Sequence, residues 1–227
     1  MRKFMVYALL LCLLVPGTLA EEKQAPYITQ YMHGDRSVNK VAITIDDWYE
    51  PEMLDAFMDA AAEYGVKLTL YPIGVNIMER DRAAWQRAID EGHELGNHSN
   101  THRNLEEASR DSIIAQLNNM EKRLEKALGH PHEMNTVRYP FGAGRKRGLR
   151  SPFAKAVSDA GYTHVALWDI DSTDPREILK QVENGSIILL HGRKRDLRAL
   201  KTILPELQSR GYEMVTISDL LGIGAAQ

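Results

Sequence analysis

Val41-Ala42-Ile43-Thr44-Ile45-Asp46-Asp47-Trp48-Tyr49-Glu50-Pro51 decides the fold. Its first five residues are apolar or β-branched and read as a buried strand, which stops abruptly at two carboxylates. Pro51 then suits the first turn of a helix. The same phrase recurs along the chain. Further strand candidates lie at 67–71, 93–97, 136–139, 163–168, 186–190 and 213–216, with helical periodicity at 51–64, 83–91, 105–128, 152–160, 175–183 and 197–210. Gly65, Gly92, Gly129, Gly161, Gly185 and Gly211 fall where each helix should stop. Seven strands alternating with six helices predict parallel strands joined by helical crossovers in one α/β domain. A distorted barrel and an open doubly wound sheet both fit that pattern. Either one places chemistry at the carboxyl ends of the strands.

Composition narrows the classes. The chain has 227 residues, 44% hydrophobic and 26% charged, with only 16 glycines and 9 prolines, which excludes disordered and collagen-like chains. The formal net charge of −3 argues against a general nucleic-acid binder, and no glycine-rich phosphate loop follows any strand. Arg2 and Lys3, the apolar run 4–15, and Pro16-Gly17-Thr18-Leu19-Ala20 have the layout of a secretory signal peptide, too short to span a bilayer. Cleavage near Ala20 would remove the single cysteine, Cys12, and leave a secreted, periplasmic or extracellular protein with no stable membrane anchor. Residues 21–40, polar and aperiodic, are expected to form an exposed leader, with the domain proper at 41–227.

Read in order, the strand ends accumulate metal-binding and acid–base groups. Asp46-Asp47 alone would suit a helix cap as well as a site. His98 and His102, four apart, face one point if the segment between them turns helically. Together one carboxylate and two imidazoles make a ligand set for Zn²⁺ or another divalent first-row ion, with positions left open for water and substrate.

These residues resemble the NodB-homology polysaccharide deacetylases of carbohydrate esterase family 4. The resemblance rests on Thr44-Ile45-Asp46-Asp47, His98-Ser99-Asn100-Thr101-His102, Arg138-Tyr139-Pro140-Phe141-Gly142 and Leu189-Leu190-His191, in family order. It implies a distorted (β/α) barrel of about seven parallel strands and a hydrolase removing N-acetyl or O-acetyl groups from a carbohydrate. It also implies residue roles. Asp47, His98 and His102 would hold a divalent metal, Zn²⁺ first, with Co²⁺ or Ni²⁺ as alternatives. Asp46 would be the general base on the attacking water, oriented by Arg138, and His191 the general acid. Asp174, or Asp171, would support His191. The N–H of Phe141 would meet the oxyanion, and Leu189 would line the acetyl pocket, with Tyr139, Trp168 and Trp48 as further substrate contacts.

Departures from the family bear on the substrate. Trp48 stands where the family has glycine and would place a ring at the rim, as a sugar platform or as a plug. Pro175 stands where a tryptophan is expected, and Gly192 replaces the aspartate that often follows the catalytic histidine. Two basic runs, Arg145-Lys146-Arg147 with Arg150 and Arg193-Lys194-Arg195, suggest an anionic glycan substrate or else two solvated loops. The partner expected is thus an acetylated glycan and not a nucleic acid. Formyl or cyclic amide substrates, or a carbohydrate-binding protein without turnover, are the alternatives.

Overall fold

The protein is described by a computed structural model covering residues 26–224. The expected signal peptide at 1–20 lies outside these residues. Among the described residues no helix is long and apolar enough to cross a membrane.

The elements run β1 (Thr29–Tyr31), β2 (Lys40–Asp47), α1 (Leu54–Glu63), β3 (Thr69–Pro72), α2 (Arg82–Asp90), β4 (Glu94–Leu95), α3 (Arg110–Leu128), β5 (Thr136–Val137), α4 (Pro152–Asp159), β6 (His164–Ala166), β7 (Ile170–Asp171), α5 (Pro175–Gln181), β8 (Ile187–His191), α6 (Lys194–Ser209), β9 (Glu213–Val215) and α7 (Ile217–Leu221). All pairings are parallel. One sheet runs β4-β3-β2-β8-β7, with β9 also on β2, and a second runs β1-β6-β5. A single bridge, Asn97 to Val137, joins the two sheets. The wall stays open between the edge strands β1 and β7, so the fold is a distorted, incompletely closed (β/α) barrel.

The central strand is β2, buried along Val41–Asp47 and flanked by β3 and β8. That burial on both faces explains its unbroken run of Val, Ala, Ile and Thr. Ile43, Ile45, Leu68 and Leu70 pack with the inner faces of α1, α2 and α6 through Phe57, Trp85 and Leu204. A second cluster around Leu117, Val137, Val157 and Val165 fills the space beneath α3 and α4.

The expected leader differs in part from the structure. Thr29–Tyr31 pairs with β6, and Ile28 is 2% exposed. A three-residue polar edge strand has no periodicity to announce it; its partner defines it. Helix α7 was also not foreseen.

Candidate active site at the carboxyl ends of the strands

The Asp46-Asp47 step is built by the backbone. Asp47 and Trp48 have φ of 72° and 59°, and Trp48 N–H donates to the Asp46 carbonyl at 3.0 Å, a γ-turn centred on Asp47. The Asp47 carbonyl is then held by Ile73 N–H at 3.2 Å and Asn76 Nδ2 at 3.0 Å. The turn breaks the strand's alternation, so two adjacent carboxylates point at different partners.

Asp46 still follows the strand and shares a face with Thr44. Both accept from Arg138 Nη1, at 2.8 and 2.6 Å. Arg138 is 0% exposed yet bonded through all three nitrogens: its Nε donates to the Ala166 carbonyl, its Nη2 to that of Leu167, and its guanidinium lies 4.3 Å from the Tyr71 ring centroid. Asp46 Oδ1 is therefore fixed, while Oδ2 faces His98 Nε2 at 3.7 Å.

Asp47 faces the histidines. Its Oδ1 lies 3.4 Å from His98 Nε2 and 3.2 Å from His102 Nε2, and it is a buried oxygen with no hydrogen-bond partner. The three ligand-type atoms all lie within 4.8 Å of one another. Residues 98–102 do not turn helically. Two left-handed residues, Ser99 (66°) and His102 (55°), fold the segment, and Ser99 Oγ accepts His102 N–H at 3.2 Å.

This group fits a divalent cation. His98 Nδ1 sits 2.8 Å from the Arg138 carbonyl, to which it donates, so the Nε2 lone pair is free to ligate. Burial pushes the Asp47 carboxyl up, but His98 and then His102 outweigh it and hold it below the usual range. Burial, with the neighbouring His98, holds His102 down and so uncharged. An ionised carboxylate and a neutral imidazole are the states that bind metal.

His191 ends β8 in register with Asp46. The carboxylate beside it is neither Asp174 nor Asp171 but Asp196. Asp174 caps α5, accepting Arg176 N–H at 2.9 Å, and Asp171 lines the cleft without an ion pair among the described residues. Asp196, fully buried in the first turn of α6, accepts His191 N–H at 3.2 Å, with Oδ1 3.9 Å from His191 Nδ1. Burial works against a charged His191, but Asp196 first and then Asp46 and Asp47 lift it above its ordinary range. The sequence signal for Asp196 was an acidic residue in the first turn of the helix that follows the histidine.

Trp48 differs most from expectation. It is 0% exposed, donates Nε1–H to the Ile45 carbonyl at 3.0 Å, and stacks edge-on with Phe57 and Trp85. The left-handed turn sends the ring inward, so it forms core and not rim. Gly192 is the reason that it fits. A Cβ at Gly192 would sit 2.8 Å from Trp48 Cε3, so the two departures from the family pattern meet in one contact.

The resulting cleft, about 480 Å³, is lined by Asp46, Asp47, His98, His102 and His191. Tyr139, Phe141, Trp168 and Leu189 add apolar walls. Phe141 is 69% exposed, has φ 59°, and holds its ring 4.6 Å from that of His102. Of the remaining wall residues, Tyr49 was not foreseen, whereas Arg193 belongs to one of the two basic runs. Tyr49, the residue after the inward tryptophan, is 54% exposed. Arg193 donates to Asp47 Oδ2 at 3.1 Å and lies over the Tyr49 ring. His93, by contrast, is a buried structural group that accepts Leu68 N–H at 3.0 Å.

Known proteins resemble this chain in sequence and in fold. A model of the polysaccharide deacetylase family matches residues 33–165. A peptidoglycan-N-acetylglucosamine deacetylase of Bacillus cereus is 29% identical over 211 residues, covering 86% of this chain and 93% of its own. A chitooligosaccharide deacetylase of Azorhizobium caulinodans is 30% identical over 215 residues, covering 84% and 96%. The solved peptidoglycan deacetylase PdaC of Bacillus subtilis superposes with a TM-score of 0.68 at 27% identity, covering 82% of this chain and 91% of that one. A family 4 pseudoenzyme from Bacillus anthracis reaches 0.75 at 22% identity, covering 90% and 72%, a likeness of fold alone. With the family model spanning more than half of its length, the chain belongs to the polysaccharide deacetylase family.

Proposed function

We propose that this protein is exported and removes acetyl groups, N-linked in the first instance, from a glycan, using a divalent metal held by Asp47, His98 and His102. The observation that carries the reading is the orphaned Asp47 Oδ1 facing two imidazole nitrogens, with a base candidate and an acid candidate on either side. An ion there supplies Lewis acidity toward the acetyl oxygen and the attacking water.

Asp46 Oδ2 takes a proton from water as the water oxygen adds to the acetyl carbon. Arg138, bound to the other oxygen, keeps Asp46 oriented. His191, protonated and held by Asp196, gives its proton through Nε2 to the glycan nitrogen as the C–N bond breaks, leaving acetate and a free amine. Proton transfers of this kind contribute about 10²–10⁴-fold each. The Phe141 N–H is not consumed by its own turn, whose donors are Gly142 and Ala143, and is offered to the developing oxyanion. Trp168, set against Gly142, and Leu189 bound the acetyl methyl.

The pseudoenzyme's likeness shows that the fold does not decide turnover. The residues support it here, since base, acid and all three ligand candidates are present in one cleft. The test is acetate release from chitin oligomers, peptidoglycan and acetylxylan by metal-stripped protein, before and after adding back Zn²⁺, Co²⁺ or Ni²⁺. Release that requires metal and is lost in Asp46→Asn supports the proposal. Tight metal uptake without acetate from any glycan would redirect it to formyl or cyclic amides, and no metal uptake would sink it.

A further inference from the structure

We propose that the glycan carries carboxylates, and that its sugars beyond the acetylated one cross Phe141 into a depression whose cations are Arg145 and Lys146. The inference rests on the deacetylase reading above and names its substrate class. The depression, about 290 Å³, is lined by Asn104, Glu106, Phe141, Gly142, Arg145 and Lys146, among others, and Phe141 is a wall of both it and the catalytic cleft. A chain leaving the cleft on that side meets it next.

Each basic run mixes paired and unpaired cations among the described residues. Arg193 is bound to Asp47 and Arg195 lies 3.4 Å from Asp196. Arg147 clamps Glu106 at 2.7 Å and reaches Glu107 at 3.3 Å. Glu106 is thereby spent, since its second oxygen accepts Gly144 N–H. Arg145 and Lys146 have no carboxylate within ion-pair distance among the described residues, although they belong to a chain with net charge −3. Nor is their segment a loose loop. A Cβ at Gly144 would lie 2.3 Å from the Phe153 ring, so only glycine lets the backbone close on that ring. Arg145 N–H bonds Gly142 O at 3.1 Å, and Arg147 N–H bonds Gly144 O at 2.8 Å. Two exposed, unneutralised cations on a fixed backbone beside an exposed aromatic ring suit a sugar that bears a carboxylate.

The experiment compares an oligomer of alternating N-acetylglucosamine and lactyl-bearing N-acetylmuramic acid with neutral chitohexaose of equal length. Wild-type protein, the Arg145→Gln/Lys146→Gln double variant and Arg150→Gln are assayed at low and high salt. Expected is a lower KM for the acidic oligomer in the wild type. The double variant should raise that KM about five- to tenfold, with kcat and the KM for chitohexaose changed less than about twofold. Salt should erase the preference. Arg150→Gln removes one charge outside the depression and should leave the preference intact. Equal treatment of both oligomers by the wild type, or an equal loss in Arg150→Gln, would overturn the inference while leaving deacetylation standing. If neither oligomer releases acetate, the deacetylase reading is what has failed. Calorimetric binding of the same two oligomers to the same variants then decides the inference, which falls if the acidic one binds no tighter.

Discussion

The two ends of the barrel each hold carboxylate, half-buried at one and buried at the other, and they treat it in opposite ways. At the amino ends of the strands, Glu94 begins β4 and accepts from Ser218 N–H and Oγ at 2.8 Å each, and from Thr69 Oγ1 at 3.3 Å. Every donor is neutral, both oxygens are satisfied, and burial raises the Glu94 carboxyl above its usual range. At the carboxyl ends, Asp46 and Asp47 face two arginines and three histidines, and one buried oxygen is left without a partner. A completed network of hydrogen bonds ties elements together, here α7 to β3 and β4. An incomplete one leaves a buried acceptor available to a ligand.

The sharpest way to break this comparison is to damage each end in turn. Asp46→Asn keeps an acceptor for Arg138 and should cost about 10²–10⁴ in kcat/KM. Glu94→Ala leaves buried donors of Ser218 and Thr69 unpaired and should cost about 3 kcal/mol of stability, or about 6–12 °C in Tm for a domain of this size. Its acetate release per folded molecule should be unchanged. Urea unfolding and single-substrate kinetics on both variants separate the two effects, and an inactive but stable Glu94→Ala would refute the division between the ends.

The Trp48–Gly192 contact sharpens it further, because there the catalytic end borrows stability from the core. Gly192→Ala should destabilise by about 1–3 kcal/mol through overpacking. The effect should shrink when Trp48→Phe makes room for the added methyl group. A double-mutant cycle measures that coupling, and strict additivity would mean that the ring and the glycine are independent.

What the sequence made legible follows the range of the interactions concerned. Strand β2 and its terminal carboxylates could be read because burial on two faces leaves a local signature, His98 and His102 because they follow a strand at a ligand spacing, and Arg138 only through the resemblance of its motif to the family's. Strand β1 could not, since three polar residues become a strand only when β6 is beside them. The inward turn of Trp48 depends on a left-handed φ that favours glycine, which composition alone does not foretell. Asp196 was passed over in favour of Asp174 because its approach to His191 arises only when α6 folds back over the end of β8.

His93 gives the smallest effect, and one whose sign tests the structural reading of that residue. Burial, then the charge of Lys67, lowers its pKa to about 4, and its Nδ1 must stay unprotonated to accept Leu68 N–H. The unfolded chain, with histidine near its ordinary 6.5, takes up this proton first as the pH falls. The contribution is therefore complete above pH 6.5 and is lost progressively down to about 4. At pH 5 it should amount to about 2 kcal/mol less stability than at pH 7. Glu94, with its raised carboxyl, works in the opposite sense, so the His93 share must be isolated by substitution. In His93→Asn an amide oxygen can replace Nδ1 as acceptor without titrating, and the drop between pH 7 and pH 5 should shrink by that amount in urea midpoints. An unaltered pH dependence in His93→Asn would mean that the imidazole is protonated in the folded protein, and the hydrogen bond from Leu68 could not then be as described.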